Sequence, residues 1–168
     1  MLTVRYPREY AFCYRRVLRP GSEKVSYQSV DNSAAMADGR ERVTAFQIGD
    51  ELLFKQYFDA ETLYDRLKPF YNHSQYRFEL PVDHREPIES ALADHGYELR
   101  VVDAVEKYAV VVEQYTAHPE NIFKESVLQR QTGGYNCFLM TDEYAVARAV
   151  AAGATRLTET DLSVAFER

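Results

Sequence analysis

Between Val43 and Tyr115 the apolar and polar positions change period at each of a series of punctuated junctions. VTAFQI and ELLFKQYF are β-rich runs separated by Gly49-Asp50, a two-residue turn signal, and together they predict a hairpin. Leu63, Leu67 and Phe70 then recur at i, i+4 and i+7, a helical stripe that Asp59 is placed to cap and Pro69 to close. Tyr76, Phe78 and Leu80 alternate with Gln75, Arg77 and Glu79, which predicts a strand with one face buried and the other in solvent. Asp83 and Glu86 have capping-box spacing, Pro87 suits a first helical turn, and Ile88, Ala91 and Leu92 form an inward stripe that Gly96 ends. Tyr97, Leu99 and Val101 alternate along a further strand, with Tyr108, Val110 and Val112 along its expected hairpin partner.

The flanks carry the same kind of signal. YAFCYRRVLR (10–19) and KVSYQSV (24–30) are extended runs joined by Pro20-Gly21-Ser22, so a hairpin is expected there, followed by a small polar boundary, DNSAAMADGRER. After Tyr115, His118-Pro119 is expected to open a helix reaching about Gln131, stopped by Thr132-Gly133-Gly134. Tyr135 to Thr141 reads as a strand, Asp142 to Ala152 as an alanine-rich helix ended by Gly153, and Arg156-Leu157-Thr158 as a short strand. That strand–helix–strand run is where a parallel pair is expected. The predicted fold class is α+β: a mixed, largely antiparallel sheet with helices mainly on one face and a C-terminal β-α-β unit. It is read as one domain, residues 1–168, built from the hairpin 1–31, a core 43–115 and the C-terminal unit 118–168.

Composition narrows the class without naming a function. A chain of 168 residues can bury roughly 70% of its unfolded surface, and 46% hydrophobic with 27% charged residues excludes a disordered polymer. No apolar run reaches the length of a bilayer span and MLTVRYPREY has no apolar signal core, so a cytoplasmic protein without a membrane partner is expected. Cys13 and Cys137 sit in apolar segments with no metal-type spacing, so two buried free thiols are expected.

Charge is distributed unevenly along a chain of net −6. The N-terminal segment carries Arg5, Arg8, Arg15, Arg16 and Arg19 against Glu9, interleaved with Tyr6, Tyr10, Phe12 and Tyr14. Guanidinium groups for phosphates and aromatic faces for bases are what RNA or DNA binding requires. An amphipathic strand with core aromatics and solvated arginines satisfies the same alternation. A nucleic-acid interface would lose affinity steeply with salt and on Arg15→Ala/Arg16→Ala, and a salt-independent or absent gel shift would exclude it.

Catalytic signals are sparse. His84 and His95 bracket one helix and lie about 16 Å apart along it, too far to share a metal, while His73 lies in a polar turn and His118 precedes a proline. No Walker loop, GxGxxG, HExxH or GxSxG occurs. In TDEYAVARAVAAGATRLTETDLSVAF, an aspartate opens a helix with small inward residues, followed by a glycine, a short strand, a threonine and an acidic loop. Through Asp142, Ala145, Ala149, Gly153, Thr158 and Asp161 this segment resembles the closing unit of PIN-type ribonucleases. The resemblance implies that Asp142 and Asp161, with a third acid that only Asp31 offers, would hold Mg²⁺ or Mn²⁺ to activate water. The alternative is that Asp142 is a helix cap and Asp161 a surface acid. A second likeness, Ala91 to Glu113, is similar to the closing part of acetyltransferase-like domains in topology, with no pyrophosphate-binding loop.

The resulting expectation is a soluble binding or regulatory module. Arg5, Arg8, Tyr10, Tyr14, Arg15, Arg16 and Arg19 are its candidate contacts to RNA or DNA, and no cofactor is called for unless the nuclease-like alternative holds. A structural protein that self-associates is the third alternative.

Overall fold

The computed structural model describes residues 39–115, 122 and 124–166, all of them in the second of the two units into which the chain divides, residues 33–168. The fold is α+β, and it is built on two sheets instead of one. In chain order the elements are β1 (Glu41–Ile48), β2 (Glu51–Phe54), α1 (Glu61–Leu67), β3 (Tyr71–Asn72), β4 (Arg77–Pro81), α2 (Arg85–Asp94), β5 (Tyr97–Val102), β6 (Ala109–Glu113), β7 (Ser126–Thr132), β8 (Tyr135–Met140), α3 (Glu143–Ala151) and β9 (Thr155–Arg156). The first sheet has the order β3-β4-β2-β1-β5 and the second β7-β8-β6-β9.

Where local chemistry is strong, the elements follow the sequence. Gly49 at φ +62 turns β1 into β2, with Ile48 opposite Glu51. Ile88, Ala91 and Leu92 are the buried stripe of α2, and Gly96 at φ +81 takes the left-handed position after it. Asp142 caps α3 by accepting from the Ala145 amide.

Several expectations are corrected. The chain over 126–132 is strand β7, not helix, and Gly133-Gly134 is a hairpin turn instead of a helix stop. Both glycines have positive φ, +55 and +81, as a type I′ turn demands, and Thr132 closes the hairpin opposite Tyr135. The parallel pair lies between β1 and β5, from Glu41↔Tyr97 to Phe46↔Val102. β4 and β5 point the same way, so the chain through α2 must cross β2 and β1 to join them. β8 and β9 also share a direction, yet β6 lies between them and pairs antiparallel with both.

β5 and β6 are not hairpin partners either. A 3₁₀ turn, Val105–Tyr108, carries the chain from the first sheet to the second. α1 begins after Ala60, without the Asp59 cap, and α2 begins after a 3₁₀ turn at Val82–His84, without a side-chain cap from Asp83.

Alternation along the central strands explains how the sheets pack. Val43, Ala45, Leu52 and Phe54 point toward Leu63, Leu67, Ile88 and Leu92 of the two helices. The other face, Phe46, Ile48 and Leu53, joins Val110, Phe138, Leu139 and Val146 around the second sheet. The middle of the first sheet is therefore buried on both faces, helices on one and the second sheet on the other. Cys137 is a buried free thiol whose pKa burial pushes up, while Cys13 lies outside the described residues. Among the described residues no helix is long and apolar enough to cross a membrane.

Candidate functional site

The second sheet covers a surface that the alternation of β4 assigns to water. Arg77 is only 4% exposed, and its guanidinium spans the gap between the sheets. Nη1 donates to the Val127 carbonyl of β7 at 2.9 Å, while Nε and Nη2 donate to Glu79 Oε1 at 2.9 and 2.7 Å. Arg77 and Glu79 are two apart on one strand and so share a face. A third donor, Asn72 Nδ2, reaches the same Glu79 oxygen at 3.0 Å. Asn72 Oδ1 in turn accepts from the amides of Ser74 and Gln75, which folds the connection to β4 around its side chain. Tyr76, at the end of that connection, is 62% exposed and holds φ +52, a left-handed conformation unusual for a side chain of its size.

Beside this network is an open cleft of about 600 Å³. One wall is Asn72, Gln75, Arg77 and Glu79; the other is β7 from Leu128 to Gln131. Its size falls in the range of ordinary ligand sites, although its lining is more polar than most. Arg77 and Glu79 neutralise one another. Arg130 does not have such a partner: it is half-buried, its Nη1 donates to the neighbouring Gln129 carbonyl at 3.3 Å, and no carboxylate pairs with it among the described residues. The cleft thus keeps one positive charge, on a chain of net −6. A smaller cavity of about 360 Å³ lies at Glu106 and residues 157–164, lined by threonines, a serine and aliphatic groups.

The residues singled out from sequence fall elsewhere. Arg5, Arg8, Tyr10, Tyr14, Arg15, Arg16, Arg19 and Asp31 lie outside the described residues. Asp142 Oδ1 accepts from the Ala145 amide at 2.7 Å and Oδ2 from Thr141 Oγ1 at 3.3 Å, so both oxygens serve the start of α3. Asp161 is exposed in the segment that follows β9. Among the described residues no three His, Cys, Asp or Glu side chains gather where they could hold a metal.

Among the described histidines, His95 and His84 make structural contacts. His95 Nδ1 lies 2.8 Å from the Ala91 carbonyl and Nε2 3.1 Å from Thr62 Oγ1, tying α2 to α1, while His84 packs on Phe70. Tyr108 donates to Glu143 Oε1 at 3.2 Å. Burial first, and then the Glu143 carboxylate, hold its pKa above the ordinary phenol value, so it remains a neutral donor. The Ala91–Glu113 segment does not form a helix followed by a hairpin, because its two strands belong to different sheets.

The sequence hid Arg77 and Arg130 for one reason. With 126–132 read as helix, no strand was available to cover β4, and an arginine on a half-polar strand reads as solvated. Compared with protein-family models, with curated proteins and with solved structures, the chain matches none.

Proposed function

We propose that this chain is a binding module that holds an anionic ligand in the cleft between its two sheets, with Arg130 as the anchor. The observation carrying this reading is the contrast between two neighbouring arginines. Arg77 has its charge paired with Glu79 and a further donor on a carbonyl, whereas Arg130 faces the same cleft with a single weak carbonyl contact. A guanidinium in a partly enclosed site acts through a lower effective dielectric than bulk water, and its planar fork fits a carboxylate or phosphate at two points. The amides of Asn72, Gln75, Gln129 and Gln131 supply further neutral donors and acceptors. Glu79 has three donors on one oxygen, which draws down its repulsion toward an incoming anion.

Titration calorimetry with inorganic phosphate, citrate and N-acetylglutamate tests the reading. Arg130→Ala is expected to weaken the binding anion roughly ten- to hundredfold, since a hydrogen bond to a charged group contributes about 1.5–3 kcal/mol. Arg130→Lys should retain part of the affinity and raised salt should reduce it. Because Arg130 is not part of the core, the thermal midpoint of the variant should stay close to that of the parent. Unchanged affinity in Arg130→Ala would remove the anchor and with it the proposal.

A further inference from the structure

The cleft has a second property besides its charge: among the described residues, one of its walls is the edge of a sheet. Thr132 and Tyr135 flank the type I′ turn, so they form a hydrogen-bonded pair, and pairing alternates from there. Arg130 and Leu128 therefore direct their backbone groups to β8, while Gln129 and Gln131 direct theirs away from it, toward the cleft. Val127 confirms the direction at the far end. It is the extra residue of a bulge between Ser126 and Leu128, and its carbonyl accepts from Arg77 across the gap. The outward groups of Gln129 and Gln131 lie about 7 Å apart, the repeat that alternate residues of an added strand would match. Among the described residues only the Gln129 carbonyl has a contact, the Arg130 guanidinium at 3.3 Å, which a carboxylate would draw away.

We infer that the ligand of this cleft is an extended peptide with an acidic side chain, which adds to β7 as a further antiparallel strand and places its carboxylate on Arg130. The inference rests on the anion-binding reading above and specifies its ligand. In such a pairing the peptide residue opposite Arg130 has its side chain on the Arg130 face, and the residue two further on meets Leu128. The recognised pattern is acid, any residue, apolar. Charge also selects this occupant over a second copy of the chain. Pairing two β7 edges antiparallel through their outward groups, with Gln129 of each opposite Gln131 of the other, would set Arg130 against Arg130, and like charges directly opposite destabilise a strand pair. Arg77, satisfying Val127, marks the end of the available edge.

The test uses the full chain and a fluorescein-labelled peptide, Ac-Thr-Glu-Thr-Val-Thr-NH₂, read by fluorescence anisotropy. Its central threonine would lie opposite Gln129 and direct its amide to β7; its glutamate and valine amides would face solvent. N-methylation of the central threonine is expected to weaken binding by about tenfold or more, and N-methylation of the glutamate to leave it within about twofold. Gln129→Pro should likewise abolish binding, with its fold checked by thermal unfolding, because the amide it removes is not in the β7–β8 ladder. Equal loss from methylation at either position would overturn strand addition. Phosphate or citrate binding through Arg130 without peptide binding would end this inference and leave the anion reading standing. Failure of every probe would end both. A dimer in size exclusion that Gln129→Pro dissociates would assign the edge to self-association and overturn the peptide.

Discussion

Replacing Arg77 with methionine is expected to lower the unfolding free energy by about 3–5 kcal/mol, the usual effect of removing one partner from a buried ion pair. The reason is what the substitution leaves behind. Glu79 keeps its negative charge in a site where its side chain is only 10% exposed and retains Asn72 as a donor, while the Val127 carbonyl loses its partner from β4. Methionine fills much of the aliphatic volume, so packing loss is a small part of the effect. The companion variant Arg77→Met/Glu79→Met is the control. Removing both charges together avoids the orphaned charge, leaving only the neutral Val127 carbonyl and Asn72 amide without these partners, and replacing a buried pair by apolar groups is often near neutral. Urea unfolding of the two variants should therefore show a large loss in the single and recovery of most of it in the double. A single variant within about 1 kcal/mol of the parent would mean that Arg77 is solvated and not clamped between the sheets.

Phe46→Ala is expected to have a similarly large effect, about 3–5 kcal/mol. Phe46 is fully buried on the face of β1 turned toward the second sheet, and its ring meets Tyr108 edge-to-face at 5.3 Å between centroids. Tyr108 in turn is tied to α3 through Glu143. Truncation opens a cavity at the seam between the two sheets, where neither can collapse onto the other without moving its own ladder. Leu99→Ala is the comparison: Leu99 is half-buried on edge strand β5, so the loss should be clearly smaller. Chemical denaturation of both would decide it, and equal losses would contradict the two-faced burial of β1.

How far the fold was legible depended on how local each signal is. The Gly49-Asp50 hairpin, the Ile88–Ala91–Leu92 stripe, the Gly96 stop and the Asp142 cap are each decided by neighbours within one or two turns of chain. β7 was missed because His118-Pro119 and Gly133-Gly134 bracket a length that suits a helix, while Gly-Gly also suits a type I′ turn. That single misreading removed an entire wall of the cleft. The aspartates of the nuclease-like resemblance were legible as residues. Asp142, the better placed of them, turns out to have both oxygens engaged at the start of its helix.

By itself the sequence determined the α+β class, most element positions and which side chains share a face, because period and turn chemistry are written in adjacent residues. The tertiary structure alone decided that there are two sheets, that β1 pairs parallel with β5, and that the polar face of β4 is covered. Periodicity separates the two faces of a strand but says nothing of what packs on either. Arg77 and Arg130 are the same residue type on two such strands. Distant partners, not neighbours, make one a buried clamp and leave the other with a charge to offer.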